Sequence, residues 1–210
     1  MKKVIAICGF IGSGKGAVSD ILVQNYGYRK MSFADSLKDA VAGIFNWPRH
    51  MLEGDTKESR DWREQVDTWW ASRLKIPHLT PRWVLQQWGT EVARKAFHDD
   101  IWIASVENKL RGQDNCIVIP DCRFPNEIKT VRRLGGEIWW VRRGHNPEWF
   151  HFARSANNGQ MPKDVMLNSY PDVHYSEWAW VSDDIDFDHI ILNDGGLKDL
   201  EATIHNLDPV

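Results

Sequence analysis

The sequence predicts an α/β protein with a central parallel sheet and helices on both faces, and three observations predict it. Apolar runs at Val4–Cys8, 116–119, 138–141 and 190–192 are continuous rather than alternating, as strands buried on both faces of a parallel sheet must be. Segments of helical spacing lie between those runs, which is the βαβ pattern. A length of 210 residues with 42% hydrophobic content suits one domain able to bury a real core and to carry insertions.

Each element has its own signal. Residues 29–33 make a weaker fifth strand candidate. Lys15–Tyr26 reads as a helix that Gly27 stops. Leu37, Ala40, Val41, Ile44 and Phe45 recur at i, i+3, i+4, i+7 and i+8, one apolar stripe of a helix for which Asp35 and Ser36 suit the N-terminus. Thr80 and Pro81 open another helix, carrying Leu85, Trp88 and Val92, with Thr90 and Glu91 placed beyond its far end. Pro125 opens a third, with Ile128 and Val131 on one face and Gly135 and Gly136 at its stop. Leu197, Leu200, Ile204 and Leu207 mark the last. Residues 47–79 and 144–186 lack periodicity, and the second stretch is too long for an ordinary connection. The expected organisation is one domain over 1–210, with a substrate-side insertion at about 47–100 and a lid at about 144–186.

Composition excludes several classes. Twenty-six basic against 29 acidic residues give a net charge of −3 with no basic tail, which argues against a stable nucleic-acid partner but not against a small anionic ligand. No run is long enough to span a bilayer. Cys8, Cys116 and Cys122 form no CxxC pair, so buried thiols in a reducing, cytoplasmic compartment are expected. The eight histidines show no zinc-type spacing with cysteine. Oligomeric state is not legible; a homodimer is compatible with the chain, since dimers are common.

The strongest chemical signal is Gly9-Phe10-Ile11-Gly12-Ser13-Gly14-Lys15-Gly16, a G-x-x-x-x-G-K loop directly after an apolar strand and before a helix. Glycines let the backbone curl until successive N–H groups point at phosphate oxygens. The helix N-terminus favours negative charge, and Lys15 reaches the β- and γ-phosphates of a nucleotide. Gly12, Ser13, Gly14, Lys15, Gly16 and Ala17 are therefore the candidate ATP-binding residues. Position 16 lacks the Ser or Thr hydroxyl that usually contacts Mg²⁺, and Ala17 lacks it too, so the metal has to be held otherwise.

A second constellation, Pro120-Asp121-Cys122-Arg123-Phe124-Pro125-Asn126-Glu127, follows the 116–119 strand. Ligands of open parallel sheets sit beyond the carboxyl ends of strands, so Asp121 falls at the functional edge. In an extended segment Asp121 and Arg123 point the same way. Asp121 is the candidate Mg²⁺ carboxylate and Arg123 a candidate phosphate grip; the alternative is an Asp–Arg–Glu network that only fixes the loop. Arg142, with Arg143 after the 138–141 strand, is a candidate lid arginine on the ATP phosphates.

Read in order, five stretches resemble the bacteriophage deoxynucleoside monophosphate kinases: the loop from Gly9 to Gly16, Ser32-Phe33-Ala34-Asp35-Ser36-Leu37-Lys38, Leu85-Gln86-Gln87-Trp88-Gly89-Thr90-Glu91, the element from Pro120 to Glu127, and His174-Tyr175-Ser176-Glu177. A closing Asn193-Asp194-Gly195-Gly196 also matches, and together these span nearly the whole chain. The resemblance implies a P-loop NTPase three-layer sandwich with a helical insertion and lid. It implies transfer of the ATP γ-phosphoryl group to a deoxynucleoside monophosphate with Mg²⁺, and catalytic roles for Lys15, Asp121, Arg123 and Glu127. It places Arg82, Thr90, Glu91, Arg123 and Glu127 at the acceptor. Gly16 departs from the pattern, since many relatives carry an aspartate there. A dephospho-coenzyme A kinase-like enzyme and a non-kinase ATP-binding or packaging protein are the rival readings.

Overall fold

A computed structural model describes residues 3–209. In chain order the elements are β1 (Val4–Cys8), α1 (Lys15–Tyr26), β2 (Arg29–Lys30), α2 (Asp35–Phe45), α3 (Lys57–Arg63), α4 (Thr68–Leu74), α5 (Pro81–Gln86), α6 (Ile101–Leu110), β3 (Ile117–Ile119), α7 (Pro125–Arg133), β4 (Glu137–Arg142), α8 (Phe150–Asn157), α9 (Lys163–Ser169), β5 (His189–Leu192) and α10 (Leu197–Asn206). Two units divide the chain: one runs to Ser32 and resumes at Gly112, and the other is Phe33–Arg111.

The first unit holds the sheet. Its five strands are all parallel and lie in the order β2-β3-β1-β4-β5, so β1 is central, with β3 on one side and β4 on the other. Every residue of β1 and β3 is buried, which is why those strands read as unbroken apolar runs. Ile5 and Ile7 pack with Val118, Trp139, Val141 and Ile191 against Val18, Ile21 and Leu22 of α1 and Leu200 and Ile204 of α10. Val4, Ala6 and Cys8 face the other way by the strand period of two, and α7 packs against β1 and β4. The weak fifth strand shortens to two residues, Arg29 registering with Ile117 and Lys30 with Val118. The span 144–186, unpatterned in sequence, contains α8, α9 and a 3-10 turn at Tyr175–Glu177 around buried Phe150, Met166, Trp178 and Trp180.

The second unit has its own core, formed by Leu37, Val41, Phe45, Trp47, Leu52, Leu79 and Val84 with Trp62, Trp70, Trp83, Trp88 and Trp102 packed around them. Half of the chain's twelve tryptophans are thus structural in this unit. The buried face of α2 is Leu37, Val41 and Phe45; Ile44, expected inside, is 50% exposed. Ala34 is the N-cap of α2 rather than Asp35 or Ser36, and Asp35 pairs with Arg49. Residues 47–79 are not irregular: Thr56 caps α3 by accepting from the Ser59 amide, and Asp67 caps α4 by accepting from Trp70. Thr80 caps α5 as anticipated. The helix does not stop before Thr90 and Glu91, however. It continues as a π-helical stretch, Gln87–Phe97, closed by an i to i+5 bond from the His98 N–H to Ala93 O (2.9 Å), and Val92 is exposed.

These assignments separate two substitutions. Leu22→Ala, in the buried face of α1, should cost about 2–5 kcal/mol in urea unfolding, whereas Ile44→Ala should stay within about 0.5 kcal/mol. A large loss at Ile44 would restore the stripe read from spacing.

Candidate active site

The glycine-rich loop joins the buried end of β1 to α1. Its turn closes with the Ser13 N–H donating to Phe10 O (3.2 Å), and the first helical bond runs from the Val18 N–H to Gly14 O (3.1 Å). The amides ahead of Val18 therefore have no partner within α1, which is the standard condition of a helix N-terminus that receives an anion. Two glycines are required sterically. At Gly9 a Cβ would meet Val141 O at 2.5 Å, and at Gly14, with φ of 100°, it would meet Asn193 Nδ2 at 2.1 Å. Lys15 Nζ curls over the loop and donates to Gly9 O (2.7 Å) and Phe10 O (2.8 Å). Burial, followed by repulsion from Arg123, lowers the Lys15 pKa to about 8.

The second loop leaves β3, the strand paired with β1, so it emerges beside the first. Asp121 lies in a turn rather than an extended strand. Cys122 is buried, and Asp121 and Arg123 on either side of it are half-buried. The Ser32 hydroxyl donates to Asp121 Oδ2. Arg123 Nη1 donates to Glu177 Oε1 at 2.5 Å. Burial opposes the guanidinium charge, but Glu177, Asp121 and Glu127 outweigh it and raise the Arg123 pKa. Cys122 sits against Cys8, and burial pushes its thiol pKa well up, so both cysteines behave as core groups.

Glu127 is 2% exposed, and its Oε2 accepts from the Arg123 N–H (2.7 Å) and the Phe124 N–H (3.1 Å). That geometry fixes the loop at the head of α7 and so positions Arg123. Arg142 ends β4; its guanidinium carbon lies 4.9 Å from the centroid of the Trp140 ring, over its face. Arg143 is exposed. Phe10, inside the glycine loop, makes ring contacts with Trp149, Phe150 and Trp180 at 5.2, 6.0 and 5.0 Å, so the 144–186 span rests on the loop itself.

The other predicted acceptor residues belong to the second unit. There Arg82 pairs with Glu64 (3.3 Å), Glu91 pairs with Lys95 (2.8 Å), and Thr90 is buried within the π-helical stretch. Two residues with clear roles escaped individual notice in the sequence. Ser32 holds Asp121, and Asn193 Nδ2 donates to Ser13 O at 2.9 Å. Both lie just past the ends of strands, which was the available signal.

The residues present fit a magnesium–triphosphate group. Among the described residues no three His, Cys, Asp or Glu side chains gather into a metal cage. Mg²⁺ held through phosphates and water needs only one or two carboxylates, and Asp121, which Ser32 holds just beyond the end of β3, has the chemistry to be one of them.

No family model matches the chain. A protein of Acanthamoeba polyphaga mimivirus, provisionally named deoxynucleotide monophosphate kinase, is 29% identical over 149 residues, 64% of this chain and 71% of its own length. The deoxynucleoside-5'-monophosphate kinase of Escherichia phage T5 is 40% identical over 55 residues, 26% of this chain and 22% of its own. Among solved structures, TT1252 from Thermus thermophilus superposes with a TM-score of 0.45 at 17% identity, covering 98% of this chain and 96% of its own. Dephospho-CoA kinase from Campylobacter jejuni gives 0.38 at 14% identity, covering 99% and 96%. In sequence, the chain is similar to two viral proteins that bear the name of kinases of deoxynucleotide monophosphates.

Proposed function

We propose that the chain is a deoxynucleoside monophosphate kinase that transfers the γ-phosphoryl group of ATP to a dNMP, giving dNDP and ADP. The observation that supports this reading most directly is the meeting of two loops at the ends of adjoining strands. The Lys15 ammonium of one loop is electrostatically coupled to Arg123 and Asp121 of the other. Two cations at the head of α1 and the end of β3, with Asp121 beside them and Glu177 paired to Arg123, suit a polyphosphate donor next to a phosphate-bearing acceptor. Similarity to the two named viral kinases supports the same substrate class.

In this reading the loop amides and Lys15 bind the donor phosphates. Arg123, aimed by Glu127 and Glu177, grips the acceptor phosphate. Asp121, aligned by Ser32, is the carboxylate for Mg²⁺, which when bound neutralises charge on the transferring phosphoryl group. Arg142, at the end of β4, is assigned to the donor phosphates. The span 144–186 acts as the lid that excludes water. Positioning and charge neutralisation suffice for phosphoryl transfer, so no strong base is needed. Among the described residues no helix is long and apolar enough to cross a membrane.

A coupled ADP assay across deoxy- and ribonucleoside monophosphates tests the proposal. Turnover of at least one dNMP is expected, with Lys15→Ala losing roughly 10²–10³-fold in kcat while keeping its melting temperature within a few degrees. No turnover of any dNMP by the wild-type chain would refute the activity. Arg123→Ala should raise the acceptor KM by about tenfold or more, equivalent to about 1.4 kcal/mol, and move the ATP KM little; equal effects on both would remove Arg123 from the acceptor side.

A pH dependence follows from Lys15. The free ammonium titrates at about 8, below the ordinary 10.5, and an anion binds its protonated form. Affinity for inorganic pyrophosphate should therefore fall as pH rises through about 8, and pyrophosphate should raise the pKa. The Lys15 13Cε shift reads this directly; a ligand-free midpoint near 10.5 would contradict it.

A further inference from the structure

Asn193 follows β5 directly, and its N–H donates to Arg142 O (2.8 Å), extending the β4–β5 ladder by one bond. By the strand period its side chain shares the side of buried Ile191, opposite exposed Leu192. The following turn is pinned as well: Asp194 Oδ1 accepts from the Gly144 N–H (2.6 Å), and Asp199 Oδ2 accepts from the Gly196 N–H (2.8 Å). The side chain is 9% exposed with no freedom to wander, and its Nδ2 donates to the Ser13 carbonyl at 2.9 Å. A carbonyl only accepts, so the group facing it must be the amide nitrogen.

The Ser13 carbonyl and the Gly14 N–H belong to one peptide plane. That bond is trans, so the two groups point in opposite directions. Drawing the carbonyl to Asn193 therefore turns the Gly14 N–H the other way. Peptides next to glycine rotate readily between two such orientations, which is the difference between type I and type II turns. Gly14, at φ of 100°, has the freedom to do so, and its missing Cβ is what admits Asn193. The flipped orientation would present a carbonyl oxygen where an anion needs a donor.

We propose that Asn193 is a positioning residue that locks the Ser13–Gly14 peptide with its N–H turned toward the donor phosphates, so that β5, three strands from the β3 that carries the acceptor-side loop, sets the orientation of the anion cradle. The role rests on the reading of the glycine loop as the donor phosphate site. It acts on the donor and not on the acceptor.

The test uses the full chain with inorganic pyrophosphate as probe, followed by calorimetry and by the 1H–15N resonance of Gly14. Wild-type protein should bind pyrophosphate with a downfield shift of the Gly14 amide proton. Asn193→Leu, of similar size but without a donor, should bind at least tenfold more weakly and lose that shift, and its ATP KM should rise with the dNMP KM unchanged. Pyrophosphate affinity within twofold of wild type, with the Gly14 shift retained, would overturn the proposal, because a purely structural asparagine alters stability without moving that resonance. If Asn193→Leu folds poorly, Asn193→Ala, which removes the donor without adding charge, decides by the same readouts. Failure of the wild-type chain itself to bind pyrophosphate would reject the donor-site reading and this role together, which sets that outcome apart from a failure confined to Asn193.

Discussion

The placement of β1 between β3 and β4 is the constraint on which the candidate site depends. Neighbouring strands lie about 4.8 Å apart, so loops leaving the same end of adjacent parallel strands must share a small space. Here the loop after β1 carries Lys15 and the loop after β3 carries Asp121 and Arg123. The cost is visible in the charges: burial and Arg123 together depress the Lys15 pKa, and Glu177 offsets the crowding by pairing with Arg123. Lys15 and Arg123 are thus set among the carboxylates of Asp121, Glu127 and Glu177, a concentration of buried and half-buried charge at one end of the sheet. The internal bonds from Lys15 to Gly9 O and Phe10 O satisfy the ammonium in a way that phosphate oxygens can replace.

Much of the sheet was legible because burial on both faces leaves an unmistakable mark in β1, β3 and β4. The glycine loop and the Asp121–Glu127 element were legible too, since each pairs special residue types with a strand end. The failures have physical reasons. Helices α3 and α4 have seven residues each, too short to show a period, although their caps Thr56 and Asp67 were there to be read. Ile44 was placed inside because spacing cannot tell a broad apolar stripe from a narrow one, and the core of the second unit takes only Leu37, Val41 and Phe45. Thr90 and Glu91, placed beyond the helix end, instead lie in a stretch that widens to π-helical turns, which no side-chain period announces. Asn193 was invisible as a functional residue because its contact joins sequence positions 180 apart.

The missing hydroxyl at Gly16 bears on how much of phosphate binding is side-chain chemistry at all. The loop's shape is set by backbone contacts: the Ser13–Phe10 turn, the close approach of Gly9 to Val141 O, and the Ser13 carbonyl held by Asn193. None of these involves position 16, where a side chain would meet open space. An amide cradle therefore does not depend on position 16, and in the proposed reading Gly16 only omits one oxygen that could have met Mg²⁺. The carboxylate at Asp121 is unaffected by that loss, because its orientation comes from Ser32 after β2.

The same logic bears on the span 144–186. Its aromatic base, Trp149, Phe150 and Trp180, is packed around Phe10 of the glycine loop, and Glu177 holds Arg123 of the neighbouring loop. A rigid swing of the whole span would break an ion pair and three ring contacts at once. The middle of the span is anchored as well, through buried Met166 of α9 and through Tyr175, whose ring lies 6.0 Å from that of Phe124 in the second loop. In the proposed reading, closure over a nucleotide therefore has to keep Phe10 packed on Trp149, Phe150 and Trp180, which makes the base of the span and the phosphate loop a single packed body.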